Sequence, residues 1–288
     1  MKYGVIDIGS NSVRLLLSDG FESFYKIAKI TRLAKGMNGN GALVGKTADD
    51  TVSAVSFFVN KAKNDGAEKI FAFATSAVRT ASNQQEFLEK IYSECGIKVE
   101  VASEETEAEI GYLGALGNSD GGIIDIGGGS TEIQVVSGGK RVYAKSIPVG
   151  AVRLTDSCGQ DEKLLFSACA EKALDFGEIP IANFTAIGGT ATTAAAMILG
   201  LKEYDAKLIE GFTLEKDALF MLKDKICKMP VKERRGIAGL QSGREEIIGS
   251  GLSFLCALYD KIGINSVKIS DKDNLEGYLI RKLYEQKS

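Results

Sequence analysis

The chain has 288 residues, enough for two domains with cores of their own, and its 44% hydrophobic and 25% charged content is that of a soluble globular protein. A net charge of −3 argues against a surface built to coat nucleic acid, although lysines and arginines are frequent enough to line a local basic pocket. Histidine is absent, which removes Ser-His-Asp and Cys-His catalysis, histidine-ligated zinc and imidazole acid–base chemistry. What remains is carboxylates, backbone amides, Arg and Lys, with a hard cation such as Mg2+ if a metal takes part. The five cysteines (Cys95, Cys158, Cys169, Cys227, Cys256) are scattered without a C-x-x-C and read as reduced thiols, mostly in the core, of a cytoplasmic protein. The chain opens directly on strand-like sequence, so no leader is expected, and the apolar run Ala194–Leu199 is too short to span a membrane.

In chain order, the pattern predicts strands at Tyr3–Ile8, Val13–Ser18 and around Phe24–Leu33, separated by glycine turns. A helix over Ala48–Asn64 follows, with Thr47 as its cap and Val52, Val55, Phe58, Val59 and Ala62 on one face. Then come a buried strand at Lys69–Thr75, a helix capped by Ser82, a strand at Lys98–Ala102, and a helix capped by Ser103 running to about Gly117. This β-β-β-α-β-α-β-α order is repeated in the second half. Strands are expected at Gly122–Ile126, Glu132–Ser137 and Arg141–Pro148, helices at Ala151–Ser157 and Glu162–Phe176, and a strand at Asn183–Ile187. A helix begins after Gly188-Gly189-Thr190, and further helices are expected at Leu214–Lys228 and Arg244–Ile262, with a strand at Ser266–Ser270 and a last helix at Leu275–Gln286. Two mixed-sheet α/β domains are therefore expected, over residues 1–120 and 121–274, with the hinge near Gly117–Gly122 and the last helix (about 275–288) packing back on the first domain.

Two stretches carry the chemistry. Ile123, Ile124 and Ile126 make a buried strand with Asp125 set into it, and Gly127-Gly128-Gly129-Ser130 forms a turn before the returning strand from Glu132. Such a turn can aim several amides into one concavity, which suits phosphate oxygens, yet a single loop of this kind is commonly an ordinary hairpin. The opening Ile6-Asp7-Ile8-Gly9-Ser10-Asn11-Ser12 has the same design, and the two aspartates lie 118 residues apart, the separation of a duplicated domain. Two acidic strands with glycine turns, one starting each half, suggest paired phosphate clamps facing one cleft. An aspartate inside an isoleucine-rich strand needs a partner, so Asp7 and Asp125 lean functional.

The order of elements with two such loops resembles the sugar kinase/actin/Hsp70 superfamily, with two duplicated RNase H-like (actin-like ATPase) domains. Finer motifs resemble the exopolyphosphatase/guanosine pentaphosphate phosphohydrolase (Ppx/GppA) family. These are Gly4–Ser12, Arg32-Leu33-x-x-Gly36, Ala74-Thr75-Ser76-Ala77-Val78-Arg79-x-Ala81-x-Asn83, Glu107-Ala108, Ile124–Glu132 and Gly188-Gly189-Thr190. The C-terminal His-Asp-type helical domains of long members have no counterpart, so the resemblance implies the short two-domain form. It also implies roles. Glu107 matches the residue proposed to activate water, Asp125 and Glu132 the acidic pair of the second loop, and Gly127, Gly128, Gly129 and Ser130 its phosphate-binding atoms. Asp7, Ser10, Asn11 and Ser12 match the first loop, Arg79 a basic residue near the phosphate path, and Gly189 and Thr190 a further phosphate contact. Asp7, Asp125 and Glu132 become the expected ligands of Mg2+. Read without the resemblance, Glu107 is one of four acids (Glu104, Glu105, Glu107, Glu109) at a helix start and would be a solvated surface residue, and Arg79 an ordinary ion-pair residue. Arg14 and Arg32 are weaker candidates. Two positions depart from the family pattern: Glu109 stands where Arg is common, and Asp273-Asn274-Leu275-Glu276-Gly277 replaces Gly-Leu-Arg-x-Gly.

The expected activity is Mg2+-dependent hydrolysis of terminal phosphates from inorganic polyphosphate, with guanosine pentaphosphate hydrolysis as the nearest rival. A small-molecule kinase and a non-catalytic phosphate or nucleotide sensor are the alternatives of other classes. A homodimer is expected, with neither nucleic acid nor membrane as partner.

Overall fold

The structure is a computed structural model and describes Met1–Met37 and Gly39–Gln286. It divides into two compact units, Met1–Gly114 with the C-terminal stretch from Asn274, and Ala115–Asp273.

The first unit is built on strands β1 (Tyr3–Ile8), β2 (Ser12–Ser18) and β3 (Ser23–Ile30), helix α1 (Gly45–Asn64), strand β4 (Lys69–Ala74), helices α2 (Ser76–Arg79) and α3 (Gln84–Cys95), strand β5 (Glu100–Val101) and helix α4 (Glu104–Leu116). The sheet order is β3-β2-β1-β4-β5, antiparallel through the opening meander and parallel from β1 to β4 and β5. Because side chains alternate along a strand, β1 feeds two cores. Ile6 and Ile8, with Val13 and Leu15, face Val52, Val55 and Phe58 of α1 and Phe87 and Ile91 of α3. Tyr3 and Val5, with Leu16 and Phe73, face Ile110 of α4 and Leu275, Tyr278 and Leu279 of the last helix, α11 (Asn274–Glu285). Asp7 continues the second set, so the strand's own period places it on the face that α4 covers.

The second unit repeats the plan with β6 (Gly121–Ile126), β7 (Thr131–Ser137), β8 (Lys140–Ile147), α5 (Ala151–Cys158), α6 (Glu162–Leu174), β9 (Phe184–Ile187), α7 (Gly188–Leu199), α8 (Ala206–Ile209), β10 (Thr213–Glu215), α9 (Lys216–Lys228), α10 (Ile248–Ile262) and β11 (Ser266–Ile269). Its sheet order is β10-β11-β9-β6-β7-β8, so β6 lies between an antiparallel β7 and a parallel β9 as β1 lies between β2 and β4. Ile124, Ile126, Ile133 and Val135 pack with α6, α7 and α10 in one core. Among the described residues no helix is long and apolar enough to cross a membrane, and all five cysteines are free thiols.

Local details correct several sequence expectations. Helix α1 starts at Gly45 rather than Ala48, which puts Thr47 inside the first turn, where its carbonyl accepts from the Thr51 hydroxyl. Ser82 caps nothing; Asn83 takes that place, and its amide is spent on both backbone groups of Leu43, at 2.8 and 3.0 Å. The third strand ends at Ile30, and Leu33–Gly36 turn as a 3-10 helix. The strand expected over Lys98–Ala102 shrinks to Glu100–Val101, and Leu214 belongs to β10, which pairs with β11, rather than to α9. The Ser103 cap stands as read, its Oγ accepting from the amide of Thr106 at 3.1 Å.

Candidate active site

The two glycine loops have the same hydrogen-bonded core. The amide of Gly9 donates to the carbonyl of Ser12, and that of Gly127 to the carbonyl of Ser130, each at 3.0 Å. In the second loop the carbonyls of Gly127 and Gly128 then accept from Ala151, Val152 and Arg153, the first amides of α5. In the first loop the carbonyls of Ser10 and Asn11 accept from Thr31, Arg32 and Ala34 at the 3-10 turn. Turning these carbonyls toward the following element leaves the amides of Gly128, Gly129 and Ser130, and of Ser10 and Asn11, without a backbone acceptor among the described residues. Such amides form an anion-binding nest. The approach is close enough to require glycine at position 150, where a Cβ would stand 2.6 Å from both the Gly127 and Gly128 oxygens. Arg32 is the one non-glycine residue with positive φ (55°) among the described residues, at the join of β3 and the turn that holds the first loop.

In the first unit, Asp7 faces Arg14 in register across β1 and β2, and Arg14 donates to Asp7 Oδ2 through Nε at 2.9 Å and Nη2 at 2.6 Å. On the same face, α4 brings in Glu107. Of the four acids at this helix start only Glu107 is buried, at 7% exposure. Its Oε2 accepts from Arg79 Nη1 at 2.6 Å, and the same guanidinium nitrogen donates to the Ala102 carbonyl at 3.0 Å. Burial pushes the Glu107 carboxyl above the ordinary glutamate range, Asp7 and Glu104 push it further, and Arg79 opposes them without winning. Arg79 is therefore placed as the partner of Glu107.

In the second unit, the residue facing Asp125 is Glu132, which occupies the place of Arg14 in the first. Where one unit neutralises its strand aspartate internally, the other sets two buried carboxylates on neighbouring strands of one sheet face. Like charges directly opposite are destabilising unless a cation or donor compensates. Ser146 supplies one donor, to Glu132 Oε1 at 2.8 Å. Gly188 sits against Asp125, and Gly189 against Arg244. A Cβ on Gly188 (φ 78°) would lie 2.3 Å from Asp125 Oδ1, and one on Gly189 would lie 1.9 Å from Arg244 Nη1. Gly188 is thus favoured both by its left-handed backbone and by the Asp125 carboxylate, while at Gly189 the neighbour is the mobile end of the Arg244 side chain. Thr190 itself is committed elsewhere, its hydroxyl donating to the Ile126 carbonyl at 3.2 Å. Arg244 was not singled out in the sequence, where no periodicity or motif marks it.

An alanine at 188 would combine a left-handed backbone with that clash. We expect Gly188→Ala to lose about 1–3 kcal/mol and displace Asp125, whereas Gly200→Ala, also at positive φ (65°) but with nothing within 4 Å, carries only the backbone cost. Equal melting temperatures for the two variants would refute the close approach.

Comparison with known proteins agrees with this architecture. The model of the Ppx/GppA phosphatase family matches residues 11–286. The chain belongs to the Ppx/GppA phosphatase family. It is 27% identical to Exopolyphosphatase 2 of Mycobacterium tuberculosis, over 96% of this chain and 97% of that one. It is 29% identical to a guanosine-5'-triphosphate,3'-diphosphate pyrophosphatase of Photobacterium profundum, over 96% of this chain but 58% of that longer protein. The crystal structure of the Aquifex aeolicus family member superposes with a TM-score of 0.82 at 27% identity, covering 100% of this chain and 99% of that one. The chain is thus an enzyme of a phosphatase family with a mixed α/β, two-sheet fold.

Within that family frame the residues can be tested against a divalent cation. Asp125 and Glu132 offer hard oxygen donors on one sheet face, and among the described residues no set of three or more acidic or thiol side chains forms a ready cage. That suits Mg2+, which is usually held by one or two carboxylates plus water and substrate phosphate. Asp7 fits less well, because Arg14 already occupies its Oδ2. An apolar hollow of about 660 Å3 lies between α6, α9 and α10, lined by Phe166, Ala170, Leu174 and Phe220. None of the loop residues lines it, so its size does not make it the site. Both stretches that depart from the family pattern carry an acid. Glu109 is exposed, while Glu276 is nearly buried and is held by Lys26 at 3.3 Å and the Ser23 hydroxyl at 3.3 Å.

Proposed function

We propose that this chain is an exopolyphosphatase, hydrolysing the terminal phosphoanhydride of inorganic polyphosphate to release orthophosphate. The observation that carries the reading is Glu107, a buried carboxylate whose basicity is raised by burial and whose orientation is fixed by Arg79. With Oε2 held by the guanidinium, Oε1 is the oxygen that takes a proton from the attacking water. The water oxygen bonds to the terminal phosphorus as the bridging P–O bond breaks, and the electron pair leaves with the shortened chain. The amides of Gly128, Gly129 and Ser130 bind phosphoryl oxygens, and Arg244 adds positive charge beside Gly189. Mg2+ held by Asp125 and Glu132 would neutralise developing charge on the phosphate oxygens. A glutamate base is also what distinguishes a hydrolase from a phosphate sensor, which needs none. The alarmone is the rival substrate for the same chemistry, and it is favoured less because the relative named for it extends well beyond the matched region.

The test is phosphate release, without any acceptor, from polyphosphate and from guanosine pentaphosphate side by side. The expected result is release from polyphosphate with the higher kcat/KM, loss of that release in excess chelator, and loss in Asp125→Asn with the fold intact. Faster release from the alarmone would transfer the assignment to that substrate. Full activity in chelator would remove the metal, and no release from either would leave a binding protein.

A further inference from the structure

Arg234 is among the largest fully buried side chains, 1% exposed, and no ion pair to a carboxylate is seen for it among the described residues. Its guanidinium donates to backbone, Nε to the carbonyl of Met229 at 3.1 Å and Nη1 to that of Glu245 at 2.8 Å. It lies against the first turn of α10, where a Cβ on Gly249 would be 3.5 Å from Nη1. Burying a cation without a counter-ion is costly, and an apolar side chain could fill the same space more cheaply. The position of the two carbonyls explains what the cation accomplishes: one precedes the loop that carries Arg244, and the other belongs to the residue just after Arg244.

The rest of that loop is fixed in the same manner. The amide of Gly243 donates to Glu245 Oε2 at 2.8 Å, Arg244 Nε donates to Gln241 Oε1 at 3.0 Å, and Gln160 holds the Glu246 carbonyl at 2.9 Å. Gly239 presses on the backbone of α7, where a Cβ would stand 2.2 Å from the Ala196 carbonyl carbon. The loop is thus stapled to α7 and α10, and the staple nearest Arg244 is Arg234. We infer that Arg234 is a positioning residue for phosphoryl binding: it fixes the loop peptide so that the Arg244 guanidinium stays against Gly189 at the start of α7. This rests on the proposed role of Arg244 at the phosphate site. Only a guanidinium fork serves both carbonyls; lysine reaches one of them.

The experiment is a double-mutant cycle with Arg234→Lys and Arg244→Ala in the full chain, read as kcat/KM for phosphate release from polyphosphate together with thermal unfolding. Arg234→Lys is expected to lower kcat/KM by about 10- to 100-fold, the effect of a misplaced binding group, through the same parameter, a lower kcat or a higher KM, that Arg244→Ala changes. In the Arg244→Ala background the further loss should vanish, because Arg234 acts only through Arg244. Losses that multiply, or an Arg234→Lys enzyme equal to the parent, would overturn the inference. Should the lysine variant fail to fold, Arg234→Gln, which keeps one donor and removes the charge, enters the same cycle with the same outcomes. An Arg244→Ala enzyme at parent rate would instead refute the phosphate-binding role of Arg244, which is a distinguishable result.

Discussion

Glu107→Gln is expected to release phosphate about 10²–10⁴-fold more slowly than the parent, the usual contribution of general acid–base catalysis, while folding normally. Glutamine keeps the shape and can still accept from Arg79 Nη1, which lies 2.6 Å from Oε2 in the parent, but it cannot take a proton from water. The control is Glu104→Gln on the same helix turn; Glu104 is exposed and should stay near the parent rate. A parent-like rate for Glu107→Gln would remove the base from this position. The raised carboxyl also sets a pH dependence. A base at Glu107 would work when ionised, so the rate is expected to fall as pH drops through a value above the ordinary glutamate range of about 4.3. For stability the sign is opposite. A folded-state pKa above the unfolded one means that the proton is bound more tightly when folded. The protonated group's contribution is present below the unfolded pKa and is lost as pH rises through the folded pKa. The stability of Glu107→Gln relative to the parent should therefore grow between acid and neutral pH, and a flat difference would contradict the direction of the shift.

Gly277→Ala should destabilise the first unit by about 3 kcal/mol or more, the upper end of overpacking costs. A Cβ there would stand 1.6 Å from the Ile110 oxygen and 2.9 Å from the Gly114 amide nitrogen, so α4 and α11 touch backbone to backbone. No rotamer change relieves a contact with main chain; the helices must separate. Separation strips Leu275, Tyr278 and Leu279 from Phe73 and Ile110, including the stacked Phe73–Tyr278 rings at 4.5 Å and the Tyr278 hydroxyl bond to Glu100 at 2.8 Å. Since α4 carries Glu107, phosphate release should fall along with the denaturation midpoint. Gly117→Ala, at positive φ but in open space, is the comparison. A Gly277→Ala protein within about 1 kcal/mol of the parent, the ordinary surface range being about ±0.5, would show that the helices accommodate the methyl.

The chain's own pattern determined the strands that carry the loops. Short apolar runs bounded by glycine read as buried strands with turns, and an aspartate inside each marks the same position in both halves. The absence of histidine likewise restricted the base to a carboxylate before any coordinates. The duplication was legible because the two loops share residues at equal spacing, and the structure repeats the bond from the glycine amide to the serine carbonyl in both. Helix starts were less legible at Thr47 and Ser82, where the side chains that matter make bonds to distant backbone or to the next turn rather than to the cap amides.

The family motif singled out Glu107 from four neighbouring acids, but the helix pattern by itself did not, because it does not tell which face α4 turns toward the sheet; the fold shows that Glu107 is the buried one. Only strand register showed that Asp7 faces an arginine and Asp125 a glutamate, the difference that would make the second pair the better fit to a cation. Arg244 and its support Arg234 were illegible for the same reason. Their partners lie on elements remote in sequence, Gly189 for the first and Met229 and Glu245 for the second, and a contact made by chain folding leaves no local period to read.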